Sequence, residues 1–249
     1  MQATTISNWA KYLVIIPTYN EAENIVPLIE KIIKQYSDID ILVIDDNSPD
    51  RTAELVKNFQ EDYPEHIFLL ERQAKLGLGS AYQEGFAWGL KHNYDYLISM
   101  DADFSHNPED ISHLIKEQSY DIVLASRKIK GSQIVGWNSW RHFTSNGAMW
   151  FSRMILGIKT QDVTAGFKCY NQKFLEFLLS KNIKSNGYAF QIETIFLAEK
   201  NNFKVKEIAT TFVDRAKGKS KLSLKDAIEF FINVFKLKFT PLNKFKSNR

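Results

Sequence analysis

Asp101-Ala102-Asp103 follows directly on the apolar run Tyr96–Met100. Alternate residues leaving a strand point the same way, so the two carboxylates can converge on one hard cation. A divalent ion there can bridge two phosphates and neutralise the charge that develops on a departing nucleotide. A bare D-x-D also occurs in solvated acidic turns; the place of this one, at the carboxyl end of an apolar strand, favours a ligand. A second acid-rich segment, Asp45–Asp50, also ends an apolar run. Asp46 is its candidate for contact with a base or ribose, while Ser48 or Asp50 can cap the helix that follows. Arg127, Arg141, Arg215, Lys219 and Lys221 form a basic set. Single surface cations are usually just solvated, but Arg127 directly follows the apolar run Ile122–Ala125, and guanidinium groups near an acidic metal site suit a bound phosphate. Gly77-Leu78-Gly79 lacks the Lys-Ser/Thr of a phosphate loop and reads as a turn before a helix.

These residues need a scaffold that brings strand ends together. Apolar runs at Tyr12–Ile16, Ile41–Ile44, Ile67–Leu70, Tyr96–Met100 and Ile122–Ala125 alternate with helical periodicity over about Glu21–Tyr36, Arg51–Tyr63 and Leu78–His92. That rhythm predicts an α/β fold with a mostly parallel sheet and helices on both faces. Ligands of such sheets bind beyond the carboxyl ends of the strands. The rule selects Pro17–Glu21, Asp45–Asp50, Asp101–His106 and Ser126–Arg127. After Arg127 the pattern loosens into a Trp- and Gly-containing stretch, helical segments and a strand expected at Lys204–Phe212.

The 249 residues, 44% hydrophobic and 24% charged, fit one large domain, with no repeat or low-complexity block. A net charge of +3 gives no argument for nucleic acid. Cys169 is the only cysteine, so an intrachain disulfide is impossible and a reducing compartment fits. No signal-peptide core is expected before Tyr12, and no apolar run reaches the roughly 20 residues of a spanning helix. The segment Leu222–Phe239 carries Ile228, Phe231, Ile232, Phe235 and Phe239 at helical spacing, and from Asp214 onward ten Lys/Arg face three Asp/Glu. An amphipathic helix at a membrane interface fits this, as does a helix docked on the sheet or on a partner. The expected division is a catalytic domain over 1–222 and a basic amphipathic tail over 223–249.

The segments Val14–Glu21, Val43–Asp50 and Met100–His106 resemble glycosyltransferase family 2. Asp162–Tyr170, Gly187–Glu193 and Phe212–Lys221 are similar to dolichyl-phosphate (polyprenyl-phosphate) mannose synthases. The resemblance implies a single GT-A-type nucleotide-sugar-binding domain, GDP-mannose as donor, polyprenyl phosphate in the bilayer as acceptor, and inversion at the anomeric carbon. It implies Pro17, Tyr19, Glu21, Ile44 and Asp46 at the nucleotide, and Asp101, Ala102 and Asp103 at the diphosphate. The metal, Mg2+ or Mn2+, would be held by Asp101, Asp103 and Ser105, the last standing where relatives can carry Gln. Arg127, Arg215 and Lys221 would handle phosphate charge, and Arg141 and Ser145 would meet the acceptor phosphate. Asp103, Arg127, Arg141 and Arg215 are then the expected catalytic residues. A place on the cytoplasmic face of a membrane, with a small membrane subunit as a further partner, completes the expectation. A glucosyl- or N-acetylhexosaminyltransferase of the same fold, or a non-catalytic nucleotide-sugar-binding scaffold, are the alternatives. The chemistry agrees with a phosphate acceptor: a phosphate monoester is already anionic near neutral pH, so alignment and charge neutralisation matter more than a general base.

Overall fold

The computed structural model describes residues 10–181, 183–214 and 224–240. Its first half alternates as the apolar runs require: β1 Tyr12–Thr18, α1 Ile25–Gln35, β2 Ile39–Asp45, α2 Thr52–Asp62, β3 Ile67–Glu71, α3 Leu78–Lys91 and β4 Tyr96–Ser99. A short α4, Ile111–Ile115, leads to β5 Ile122–Ser126 and β6 Gln133–Val135. Then come α5 Ser139–Leu156, β7 Lys168–Asn171, α6 Gln172–Leu179, α7 Gly187–Lys200, β8 Val205–Ala209, β9 Thr211–Val213 and α8 Leu224–Phe239.

The main sheet runs β3-β2-β1-β4-β7-β5-β8, and all its pairings are parallel except those of β7 with β4 and β5. Strand order reverses between β1 and β4. In sheets of this kind the loops after the two strands at such a reversal are where ligands bind, at the carboxyl edge.

Period-two alternation divides the core. Leu13, Ile15, Leu42 and Ile44 face the layer formed by α3, α6 and α7, whereas Tyr12, Val14, Ile16, Ile41 and Val43 face α1 and α2. The first layer comes very close to the sheet. A Cβ on Gly85 of α3 would lie 2.7 Å from both Ile15 and Ile44, so only glycine admits this approach.

Two elements depart from the expectation. The predicted strand Lys204–Phe212 is two strands: β8 closes the main sheet, and after the buried Thr210 the chain pairs β9 with β6 in a separate two-stranded sheet. The stretch after Arg127 also conceals β7. Because β7 runs antiparallel, its first residue, Lys168, sits opposite Ser99 at the carboxyl end of β4. That reversal delivers Gly166 and Phe167 to the site edge.

The helix at the C terminus is docked on the domain. Val234 and Leu237 are buried, and Phe231 and Phe235 set their rings 5.0 and 5.8 Å from Phe151 of α5. Phe231, Ile232, Phe235 and Phe239 remain exposed. Among the described residues no helix is long and apolar enough to cross a membrane.

Candidate active site

The loop after β1 begins with half-buried Pro17 and Tyr19, and Lys75 places its ammonium 3.7 Å from the centre of the Tyr19 ring. Glu21 accepts a hydrogen bond from Asn24. After β2, Asp45 accepts hydrogen bonds from the Thr18 hydroxyl (2.8 Å) and from the Ser48 amide and hydroxyl. Asp50 ties this loop to its neighbour by accepting from the amides of Ala22 and Thr52. Of the two expected capping residues, Asp50 serves the α2 end.

Asp46 is almost fully buried. It pairs with Arg72 at 2.7 Å and accepts a hydrogen bond from the Gly77 amide at 2.9 Å. Arg72, just beyond β3, also donates to Ser80 and to the Gly77 carbonyl, and lies 3.3 Å from Glu84. It thus fixes Asp46, the Gly77 turn and the start of α3 as one unit. Arg72 was absent from the sequence reading, although the strand-end rule that picks Arg127 after β5 picks Arg72 after β3 equally well. The Ile44 side chain is wholly buried against α3, which leaves its backbone as the part that can meet a ligand.

Asp101 and Asp103 leave β4 as expected. The Tyr82 hydroxyl donates to Asp101 at 3.3 Å, and His106 Nε2 lies 3.9 Å from the same carboxylate. A Cβ on Gly166 would come within 3.2 Å of Asp101, so glycine there leaves the carboxylate its room. Asp103 accepts from the Ser105 amide at 3.0 Å, closing a turn through Phe104, whose φ of 58° is left-handed. Ala102 packs into the core. The Ser105 hydroxyl is buried without a hydrogen-bond partner, and so is His106 Nδ1. Burial, reinforced by Arg127, pushes the His106 pKa down to about 4, so its ring is neutral near pH 7.

The described cations expected to serve this edge already have partners. Arg127 makes a two-pronged pair with Asp162, both contacts 2.7 Å, and donates to Thr164 at 2.8 Å. Burial opposes its charge, but Asp162 outweighs that and leaves the guanidinium pKa raised. Burial likewise disfavours the Asp162 carboxylate, and Arg127 outweighs it, so the acid is held below its ordinary value. Arg141, in the first turn of α5, pairs with Asp214 and lies 4.5 Å from the Trp137 ring centre. Ser145 follows one turn later and is half-buried. Arg215, Lys219 and Lys221 lie outside the described residues. The motif segment Asp162–Tyr170 contributes two residues whose individual roles were not foreseen. Asp162 is one. The other is Lys168, wholly buried, with its ammonium 2.6 Å from the Gln191 side-chain oxygen and its pKa lowered to about 7, chiefly by burial.

Among the described residues no three His, Cys, Asp or Glu side chains cluster as a ready-made metal cage. Two carboxylates beside an unpartnered buried hydroxyl nevertheless fit a hard cation that takes most of its other oxygens from water and phosphate.

A mainly parallel sheet with a switch point between β1 and β4, a paired-acid turn at its carboxyl edge and buried arginine pairs beside it make a GT-A-like α/β fold. The chain belongs to glycosyl transferase family 2, whose model matches residues 13–179, and it is a glycosyltransferase. It is 38% identical over 232 residues to the polyprenol monophosphomannose synthase of Mycolicibacterium smegmatis, covering 92% of this chain and 88% of that one. It is 36% identical over 225 residues to the undecaprenyl-phosphate mannosyltransferase of Micrococcus luteus, covering 90% and 92%. Solved structures share the fold at low identity. The glucosyl-3-phosphoglycerate synthase of Mycobacterium tuberculosis in complex with Mn2+, UDP-glucose and phosphoglyceric acid superposes with a TM-score of 0.65 at 16% identity, over 94% of this chain and 81% of that one. The mannosyltransferase of Pyrobaculum calidifontis in complex with GDP-Man and Mn2+ gives 0.59 at 15%, over 92% and 64%.

Proposed function

We propose that this chain transfers mannose from GDP-mannose to the phosphate of a polyprenyl phosphate, with inversion at the anomeric carbon, at the surface of a membrane. The observation that carries the reading is the likeness, over nine-tenths of the chain, to two relatives named for mannose transfer to a polyprenyl phosphate. The acidic turn after β4 and the arginines around it suit the same chemistry. Pro17, Tyr19, Glu21 and the Asp46–Arg72 unit are the donor's nucleotide side. Asp101 and Asp103, with Ser105 directly or through water, would hold Mg2+ or Mn2+, which supplies positive charge against the leaving diphosphate.

The chain's own groups do the remaining work. Arg127 adds fixed positive charge beside the acidic edge, and Asp162 keeps that guanidinium in one orientation. Arg141 and Ser145 face the acceptor phosphate, with Arg215 and Lys221 following in the chain. The acceptor oxygen is anionic before the reaction, so no side chain need remove a proton; the barrier lies in bringing two anions into line.

The test offers the purified chain radiolabelled GDP-mannose, UDP-glucose and UDP-N-acetylglucosamine in turn, with polyprenyl phosphate in detergent. Label should enter the organic phase from GDP-mannose only. Entry from a UDP-sugar instead would overturn the mannose assignment.

A further inference from the structure

Between α5 and β7 the chain runs through residues 157–167, and this segment carries Asp162, the partner of Arg127. Its backbone amides find carboxylates instead of a helix or a sheet. Glu199, near the end of α7, accepts from the amides of Lys159 (2.7 Å) and Thr160 (2.8 Å) and from the Thr160 hydroxyl. Glu207 of β8 accepts from the amides of Gln161 at 2.8 Å and Asp162 at 3.0 Å, one on each carboxylate oxygen. Four successive N–H groups are thus held by two acids, through charge-assisted bonds that are stronger than the amide–carbonyl kind. The far end of the segment is fastened too. The Ser99 hydroxyl donates to the Gly166 carbonyl at 2.6 Å, and the Ala125 amide donates to that of Phe167.

Of the two acids, Glu207 is the anchor next to the site. In the β5–β8 register it lies opposite Leu124, and β5 runs on from there into Ser126 and Arg127. The Asp162 carboxylate takes hydrogen bonds from Arg127 through the backbone amide, Nε and a terminal nitrogen. A chain of contacts therefore runs from the Glu207 carboxylate to the Asp162 amide, and from the Asp162 carboxylate to the guanidinium. Glu207 gives Asp162 a hold on the sheet that does not depend on Arg127 itself. Such control matters, because a shift of about 1 Å in a group that serves a reaction can cost on the order of a hundredfold in rate.

We propose that Glu207 is a positioning residue for sugar transfer, setting the orientation of Arg127 through the backbone of Asp162. The proposal rests on Arg127 serving the leaving diphosphate, and its test separates the two. Glu207→Gln turns a side-chain NH2 group toward a backbone N–H, so one hydrogen bond is lost and donor faces donor. Glu199→Gln makes the same change in the half of the clamp farther from Asp162. Both should lower the melting temperature by roughly 5 °C. Steady-state transfer from radiolabelled GDP-mannose to polyprenyl phosphate then tells them apart. Glu207→Gln should lower kcat by about tenfold or more with both KM values little changed, whereas Glu199→Gln should stay within about twofold of the wild type. In Arg127→Lys, which already lacks the fork, adding Glu207→Gln should cost less than about twofold further. The proposal falls if Glu207→Gln keeps the wild-type kcat, or if the two Gln variants lose rate in parallel, as a merely structural role requires. It falls equally if the losses of Arg127→Lys and Glu207→Gln simply multiply. Should Glu207→Gln not fold, Glu207→Asp is read by the same criteria, with a kcat loss of about threefold or more expected from its shorter stem. A wild-type kcat in Arg127→Lys would instead defeat the reading of Arg127 itself.

Discussion

Replacing Asp162 by Asn would strand Arg127. The guanidinium is 8% exposed and the carboxylate not at all, with two 2.7 Å contacts and an amide hydrogen bond between them. Asparagine keeps the shape and the acceptor oxygen but removes the charge that makes a buried guanidinium tolerable. Breaking one side of such a pair costs about 3–5 kcal/mol. For a chain of this size each kcal/mol is about 2–4 °C of melting temperature, so Asp162→Asn should melt roughly 10 °C lower. The pair also has a pH signature. Asp162 is depressed below its ordinary 3.8, so its stabilisation is present above that value and is lost as pH falls through the lower, folded value. Thermal melts of both proteins between pH 3 and 7 check this. The gap between them should be full near neutrality and shrink in acid. A shift under about 2 °C at neutral pH would show that the pair is solvated and that Arg127 is not held as described.

Other outcomes follow from the same geometry. Asp103→Asn should abolish transfer with an unchanged melting curve, and EDTA should silence the wild type until Mg2+ or Mn2+ is restored; steady-state assays read both. Arg72→Lys loses the fork that holds Asp46, Ser80 and Gly77 together, so KM for the nucleotide sugar should rise about tenfold or more while KM for the lipid changes little. Arg141→Ala should do the reverse, raising KM for the lipid phosphate, with donor binding by calorimetry intact. Lys168 has a folded pKa lowered to about 7, so protonating it opposes folding and its contribution to stability rises with pH from about 7 toward its unfolded 10.5. Chemical denaturation of wild type and Lys168→Met should show that rise in the wild type and its absence from the variant.

The parallel half of the fold was legible because each of its strands is an apolar run between amphipathic helices. β7 was not. Its four residues, Lys168-Cys169-Tyr170-Asn171, include a buried lysine and no alternation, and only tertiary pairing makes them a central antiparallel strand. The break at Thr210 was invisible for the same reason: two sheets share one extended segment. In the site, the D-x-D turn could be read from its position after β4. The partners of the arginines could not, because Arg127 meets Asp162 across 35 residues and Arg141 meets Asp214 across 73. The C-terminal stripe was visible as helical periodicity, but which members are core depends on the packing of α8, which buries Val234 and Leu237 and leaves Phe231 and Phe235 half-exposed.

Mass spectrometry of the lipid made by purified protein from GDP-mannose and polyprenyl phosphate tests the central claim most directly. The account predicts one hexose joined through a single phosphate to the polyprenol, made by the wild type and absent with Asp103→Asn. A product carrying two phosphates between sugar and lipid, or free mannose with the lipid unmodified, would contradict it.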